Sequence, residues 1–333
     1  MTKAPPKLAM RWAGPDDMPG LLDLFQDAYR RWPRVETAAA PLDHLLWKFA
    51  ETDTQTCRHH AIALDGERIV GAIPLSTRAF LVDGQRMQSA TALDVAVREE
   101  YRRFGVYMEL QHFSRGGYRN SIDFNFGYAG PHPGMARVRE KLEGWTLMAH
   151  RIDVLAAHVA PPEPFDAGVT IGEADRVDEA IDAFCLEALR PFRLALLRTN
   201  GYLNWRYRDE RGGGGTLLLA RDGGAVAGLA AVRVSNGVGY IAELLTQPGR
   251  SEVAGALARE CLRRIHAAGA EKARCWLPER HPCRDAVVEA GFSRVKEQRS
   301  FTYELLQAPA GSLAFLDDPE AQVHITIGDT DLI

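Results

Sequence analysis

Val97-Arg98-Glu99-Glu100-Tyr101-Arg102-Arg103-Phe104-Gly105-Val106-Tyr107-Met108-Glu109-Leu110 is the stretch on which the reading of this 333-residue chain turns. An apolar, strand-like segment, Thr91 to Val97, runs into a charged turn, Arg98 to Gly105, and then into Val106 to Phe113, which is compatible with a helix. A helix that starts so soon after a strand leaves the N–H groups of its first turn without carbonyl partners, pointing outward at the positive end of the helix dipole. Such groups can hold a pyrophosphate. Arg102 and Arg103 add formal charge there, and Gly105 lets the backbone approach an oxygen atom with no Cβ in the way. An Arg-x-x-Gly that opens an ordinary surface helix has the same local features, so the decision rests on the elements around it.

Before this stretch the pattern reads as a strand, Lys7 to Ala13, and an amphipathic helix carrying Leu21, Leu24, Phe25 and Tyr29 on one face. A second helical stretch, Leu42 to Ala50, precedes a hairpin, His60 to Leu64 and Ile69 to Ser76, turning at Asp65-Gly66, and a further strand pair is expected around Asp83-Gly84. After it come a strand, Ile122 to Tyr128, a Gly/Pro break over Gly130 to Gly134, a helix over Met135 to Leu142, and a closing strand after Gly144-Trp145. The proline-rich segment 157–167 is the expected linker, because proline interrupts both helix and sheet.

Beyond the linker the order repeats. Expected elements are Val169 to Gly172, a helix Val177 to Leu189, Tyr202 to Tyr207, Thr216 to Ala220, Val226 to Val234, Gly239 to Leu245, helix Ser251 to Ala268, Lys272 to Leu277, helix Cys283 to Ala290 and Ser300 to Leu305. Leu46-Trp47-Lys48-Phe49 matches Asn204-Trp205-Arg206-Tyr207, Asp65-Gly66 matches Asp222-Gly223, Val70-Gly71 matches Ala227-Gly228, and Gly144-Trp145 matches Gly291-Phe292, each pair roughly 150 residues apart. Matches in one order point to a duplicated unit. The expected organisation is an α/β (α+β) chain of two tandem domains, 1–156 and 168–308, a linker 157–167 and a tail 309–333.

Composition bounds the function. At 46% hydrophobic and 25% charged residues, with no apolar run near the ~20 residues a membrane span needs, the chain reads as globular, and without a secretory core at its start it reads as cytoplasmic. Forty Lys and Arg against forty-four Asp and Glu, with no long block of either sign, disfavour nucleic acid. Cys57, Cys185, Cys261, Cys275 and Cys283 form no CxxC pair and read as reduced, mostly buried thiols. His281 and Cys283 could sketch a nucleophile and base or two metal ligands. No further ligand stands at a recognised spacing, so a structural role is preferred and no metal is expected.

The stretch around Gly105 resembles the acyl-CoA signature of the GNAT superfamily, Gln/Arg-x-x-Gly-x-Gly/Ala after a valine-rich strand. Arg102 and Gly105 match it, and Tyr107 departs at the last position. Phe126-Gly127-Tyr128, leading to Leu142-Glu143-Gly144-Trp145, resembles the family as well. The resemblance implies two tandem GNAT-like domains, each a mixed, largely antiparallel twisted sheet flanked by helices. In the second, Gln247-Pro248-Gly249-Arg250-Ser251 stands in place of the phosphate loop, so that domain is expected to be degenerate, with a role in substrate binding, packing or dimerisation.

The implied reaction moves an acyl group, acetyl in the first instance, from acetyl-CoA or another acyl-CoA to a primary amine of a small molecule or amino sugar by direct attack. By the same resemblance, backbone groups of a strand Asp94 to Val97, Val95 and Val97 among them, follow the pantetheine arm. The N–H groups of Arg103, Phe104, Gly105, Val106 and Tyr107 cap the pyrophosphate. Asp94 is the candidate base and Glu100 the second; an Asp94 at a strand edge or paired with an Arg is the plainer alternative. Tyr128 is the candidate acid for the departing thiolate, or else a packing residue, and His132 a candidate proton relay, or else a solvated loop histidine. Trp47 and Trp205 shape an acceptor pocket or anchor a helix to the sheet. The tail His324 to Asp331 resembles tails of tandem acyltransferases of polysaccharide or specialised-metabolite pathways, which implies biosynthesis. Two rivals remain: a non-catalytic acyl-CoA sensor or scaffold, and a mycothiol-synthase-like acyltransferase, in which the C-terminal half would be expected to carry the intact loop. A homodimer is left open.

Overall fold

The structure, a computed structural model, describes residues 7–49, 55–129, 139–141, 143–149, 151–161, 165 and 168–331. His132 and most of the Met135 to Leu142 helix expectation lie outside them; residues 139–141 are helical. The first half opens with β1 (Ala9–Trp12), α1 (Met18–Ala28) and α2 (Pro41–Lys48). The long antiparallel strands β2 (Gln55–Asp65) and β3 (Arg68–Val82) follow, joined at Gly66 with φ 62. β4 (Gln85–Ala92), β5 (Ala96–Val97), α3 (Val106–Tyr118), β6 (Phe124–Ala129) and β7 (Thr146–Leu147) complete it.

Period-two alternation decides which face each strand residue serves. On β2, Ile62 and Leu64 face α1, where Leu21, Leu24 and Phe25 are wholly buried. Ala61 and Ala63 face the opposite way, toward Val106, Leu110 and Tyr118 of α3. Each such fully buried Leu or Phe contributes about 1.5–3 kcal/mol, so the first half is a sheet between two helical layers held by its apolar faces.

The second half repeats the plan. β9 (Thr170–Ala174), α4 (Ala180–Leu189), β10 (Leu194–Leu196) and α5 (Asn200–Leu203), which widens into a helical turn over Asn204–Arg208, precede the antiparallel run β11 (Thr216–Asp222), β12 (Ala225–Ser235) and β13 (Val238–Thr246). Then come α6 (Ser251–Ala267), β14 (Lys272–Pro278), α7 (Arg284–Glu289) and β15 (Ser293–Leu305). α6 lays Val253, Leu257, Cys261 and Ile265 on this sheet. No described helix is long and apolar enough to cross a membrane.

The halves share strands. β8 (Ile152–His158) does not return to the first sheet but inserts between β14 and β15. β15, whose legible apolar part was only Ser300 to Leu305, runs on from Ser293: its first part pairs with β8 and its last part, Ser300 to Leu305, pairs with β6. One sheet thus runs through both halves in the order β1-β2-β3-β4-β6-β15-β8-β14-β13-β12-β11-β9. A cut of the chain at residue 156 passes through β8.

The tail is internal too. β16 (Val323–His324) pairs in parallel with β10, which pairs with the end of β3, and Val323, Ile325 and Ile327 are buried in the core common to both halves, with Phe80, Phe126 and Phe301.

Candidate active site

β4 and β6 run parallel and are paired at Ser89 with Phe124 and at Ala90 with Asn125. Beyond that point their partners lie on their outer sides: β5, continuing β4, pairs with Gly71 and Ala72 of β3, and β6 pairs with β15. The two strands therefore part, and a cavity of about 310 Å³ opens between Ala92 and Val95 on one side and Asn125 and Phe126 on the other, walled by Tyr107, Gln111 and Arg115 of α3. This is a slot with strand backbone along it and a helix start at its mouth.

The charged turn folds as a 3-10 helix, Glu99–Phe104, that ends at Gly105 with φ 74, a left-handed conformation natural to glycine. A Cβ built on Gly105 meets nothing within 4 Å. Val106 and Tyr107 open α3, so their N–H groups have no carbonyl one turn earlier inside the helix. Val106 itself is buried under the sheet and Val97 beside it. Arg102 is exposed and donates from Nε to the Val97 carbonyl at 3.0 Å; Arg103, also exposed, lies over the Phe104 ring at 4.9 Å. Tyr107 uses its extra atoms at the mouth of the slot: its hydroxyl donates to Glu143 at 3.1 Å and accepts from the Gln111 amide at 2.7 Å. Nearby, Arg139 donates to the Thr302 hydroxyl at 2.7 Å and lies over Trp145 at 4.8 Å, its pKa lowered by burial.

Asp94 departs from expectation. The strand resumes only at Ala96, and Asp94 breaks it with φ 43, a left-handed conformation that a short polar side chain tolerates better than a branched one. The break turns its carboxylate inward rather than to a strand edge. Oδ2 accepts from Lys48 Nζ at 2.6 Å and from Trp32 Nε1 at 3.1 Å, while Oδ1 is buried without a hydrogen-bond partner. Lys48 also meets Asp331 of the tail at 3.1 Å. Burial works against the Lys48 charge, but the Asp331 and Asp94 carboxylates outweigh it and hold the pKa above its ordinary value. The adjoining Val95 carbonyl accepts from the Tyr29 hydroxyl at 2.7 Å. Glu100 sits apart, exposed and paired with Arg68 at 3.3 Å.

Tyr128 packs its ring against Phe126, Phe301 and Trp276, yet its buried hydroxyl has no partner. Burial, reinforced by the nearby Asp329 carboxylate, raises its pKa well above the ordinary phenol value, so the group stays protonated at neutral pH. Around it runs a buried polar network built largely from the tail. Arg198 meets Asp329 and Glu243, both at 2.6 Å, and Arg78 donates to the Asp329 carbonyl at 3.4 Å. Arg206 donates to the Thr330 carbonyl at 2.7 Å.

Val95 lines the slot and Tyr107, two residues after Gly105, stands at its mouth; Asp94, Tyr128 and Glu100 are not among the residues that line it, although Asp94 adjoins Val95 and Tyr128 follows Phe126 by two positions on β6. The residues that sequence reasoning missed are Lys48, Arg78, Asp329 and Asp331. One signal for Lys48 was present: it stands in the repeated Trp-Lys/Arg pair. In the structure Trp47 and Trp205 stack at 5.2 Å, each indole N–H donating to the other's carbonyl at 2.9 Å, and the cations after them, Lys48 and Arg206, both reach the tail.

Residues 9–135 match the family model described as "Acetyltransferase (GNAT) domain". No curated protein matches the chain. Among solved structures, a GCN5-related N-acetyltransferase from Anabaena variabilis ATCC 29413 is 12% identical, with a TM-score of 0.65 over 90% of this chain and 73% of that one. One from Kribbella flavida is 18% identical, with a TM-score of 0.63 over 92% of this chain and 72% of that one. A tandem GNAT protein from the clavulanic acid biosynthesis pathway is 16% identical, with a TM-score of 0.61 over 91% of this chain and all (100%) of that one. Residues 9–135 therefore match a GNAT acetyltransferase domain, and the chain as a whole has the fold of GNAT proteins, a tandem one among them.

Proposed function

We propose that the protein is an acyl-CoA-dependent N-acyltransferase that moves an acyl group, acetyl in the first instance, to a primary amine of a small molecule or amino sugar. The observation that carries this reading is the slot between β4 and β6, about 310 Å³ in volume, which leads to the helix start at Gly105. In it an extended pantetheine arm bonds to strand backbone, and the pyrophosphate rests on the N–H groups before and within the first turn of α3.

The amine, once neutral, attacks the thioester carbonyl, the C–S bond breaks, the sulfur leaves as a thiolate that takes a proton, and the nitrogen, on becoming the amide, releases the proton that restores the donor. Tyr128 is the proposed donor of that proton, because its hydroxyl is buried, protonated and unpartnered. The ammonium proton goes to Asp94, directly or through water; its Oδ1, which has no hydrogen-bond partner, is suited to that role. Under this proposal the chain divides functionally into an acyl-CoA-binding domain, 1–156, a linker, 157–167, a degenerate domain, 168–308, and a tail, 309–333, that contributes to the inner site. The Lys48–Asp94 pair also gives the acyl-CoA sensor a specific argument, since Asp94 Oδ2 is already engaged by Lys48 and Trp32.

Mixing the protein with acetyl-CoA and a panel of primary amines while following free thiol separates the two. Amine-dependent thiol release supports the enzyme. Binding of acetyl-CoA with no release above the amine-free rate on any amine of the panel supports the sensor.

A further inference from the structure

The tail is tied into the core by a hydrogen-bond chain that has no place for an added proton. β16 is only two residues long, Val323 and His324, and the wholly buried His324 ring lies between Glu243 of β13 and His281, just past β14. Its Nε2 stands 2.8 Å from Glu243 Oε1, and its Nδ1 stands 2.9 Å from His281 Nε2. The other nitrogen of His281, Nδ1, lies 3.2 Å from the backbone nitrogen of Cys283. A backbone N–H only donates, so His281 Nδ1 accepts and the ring's own proton sits on Nε2, aimed at His324 Nδ1. The His324 proton then sits on Nε2 and is given to Glu243. A further proton would sit either on His281 Nδ1, facing the Cys283 N–H, or on His324 Nδ1, facing the His281 Nε2–H. Either place sets donor against donor.

The charged groups around the two rings are already balanced. Glu243 faces them from β13 and Asp329 comes from the tail itself, while Arg198, just past β10, meets both carboxylates at 2.6 Å and Arg78 of β3 brings a second cation to the Asp329 carbonyl. Burial works against the Glu243 charge, but Arg198 and the His324 hydrogen bond outweigh it and lower its pKa to about 2, so Glu243 only accepts. Tyr207 also gives its hydroxyl to Glu243, at 3.3 Å. Phe192, just before β10, packs its ring 5.1 Å from each imidazole, and burial pushes the Cys283 thiol up to about 11, which leaves it uncharged. For His281 itself, burial and the neighbouring His324 push the pKa well below its ordinary value, against the pull of Glu243.

We propose that the His281–His324 pair is an acid-sensitive latch on the tail, holding residues 323–331 in the core near neutral pH and loosening them in mild acid. Once the tail leaves, His281 meets water and titrates near about 6.5, so the open form takes up a proton that the docked form excludes. The latch is therefore whole above that value, and the ratio of open to docked tail grows by about tenfold for each pH unit below it. Val323, Ile325 and Ile327 still favour the core, so acid raises the open fraction rather than emptying the core at one step. The inner polar site opens with the tail: Asp331 leaves Lys48, and Asp329 leaves Arg198. The carboxylates that help to dock it act in a lower window, because Glu243 and Asp331, both held near about 2, lose their contribution only below about pH 4. The inference does not depend on the reaction proposed for the first half.

The test is amide hydrogen exchange of the full chain between about pH 6.5 and about pH 5, corrected for intrinsic rates and followed at the tail and at β12. In wild type the tail amides should lose protection by about tenfold per pH unit while those of β12 keep theirs. His281→Phe keeps a ring against Phe192 and His281→Gln keeps a polar group, and neither titrates. In both, the dependence should be shallower by about tenfold per pH unit, even where the tail is looser at neutral pH. Wild-type protection that stays constant across the window overturns the latch, and so do equal slopes in wild type and the folded variants. Tail and β12 losing protection together overturns it as well, since the whole chain is then opening rather than its tail.

Discussion

At the residue scale the account stands on two buried groups whose unpaired atoms would be costly in a molecule that never met a ligand. A buried hydroxyl or carboxylate oxygen left without a partner costs about 1–3 kcal/mol, and Tyr128 and Asp94 each carry one such atom. If Tyr128 protonates the thiolate, Tyr128→Phe keeps the ring packing and should lower turnover by a factor on the order of 10²–10⁴ with little change in CoA affinity. Full activity in that variant removes the tyrosine from the mechanism. Asp94→Asn should depress the rate mainly below the pKa of the acceptor amine and regain rate as pH rises, because more substrate then arrives neutral and needs no base. An equal loss at every pH assigns Asp94 to holding Lys48 and the tail instead. Asp94 was legible as a carboxylate in the right segment, but its inward turn was not. A left-handed residue inside an apolar run has no local signature when it is not glycine, and Lys48 lies 46 residues away in the sequence.

At the scale of elements the part read most directly was strand, charged turn, glycine and helix, because these lie within one continuous segment and each has its own local pattern. The tail was not read as structural. Val323 to Asp331 makes its contacts with Lys48, Arg78, Arg198 and Glu243, all distant in sequence, and nothing local announces that a segment so close to the chain's last residue is buried. The placement of the expected closing strand, which as β8 pairs with β14 and β15, and the first part of β15 were missed for a related reason. Ser293 to Arg299 is largely charged and reads as loop, yet it pairs with β8 across a register shift. Burial opposes the charge of Asp331, but Lys48 prevails and lowers its pKa to about 2. An unfolded aspartate titrates near about 3.9, so the folded chain binds fewer protons here, and the stability this pair contributes is whole above that value and lost as pH falls through about 2. Asp331→Asn should therefore lower the melting temperature at pH 7, and the gap to wild type should close between about pH 4 and pH 2. A gap that stays constant over that range, measured by calorimetry at several pH values, shows that the Asp331 charge does not hold the tail.

At the scale of the whole molecule the chain is one unit built twice and then joined, by the crossing of β15, by the inserted tail and by the reciprocal pair of Trp47 and Trp205. The duplication was legible in matched short segments; the joining was not, since it depends on pairings between residues more than a hundred positions apart. Trp47→Ala and Trp205→Ala should be non-additive in unfolding free energy, with a coupling of about 0.5–1.5 kcal/mol from the stacked rings. Strict additivity makes each ring a separate anchor. Both halves have a parting strand pair and a glycine before a helix, and the proposed function places the chemistry in the first. The most direct test is the rate of thiol release from acetyl-CoA, expressed as kcat/KM, in Gly105→Asp and Gly249→Asp compared with wild type on an accepted amine. The account predicts that Gly105→Asp falls to the uncatalysed rate while Gly249→Asp stays at the wild-type value; activity retained in folded Gly105→Asp and lost in folded Gly249→Asp would contradict it.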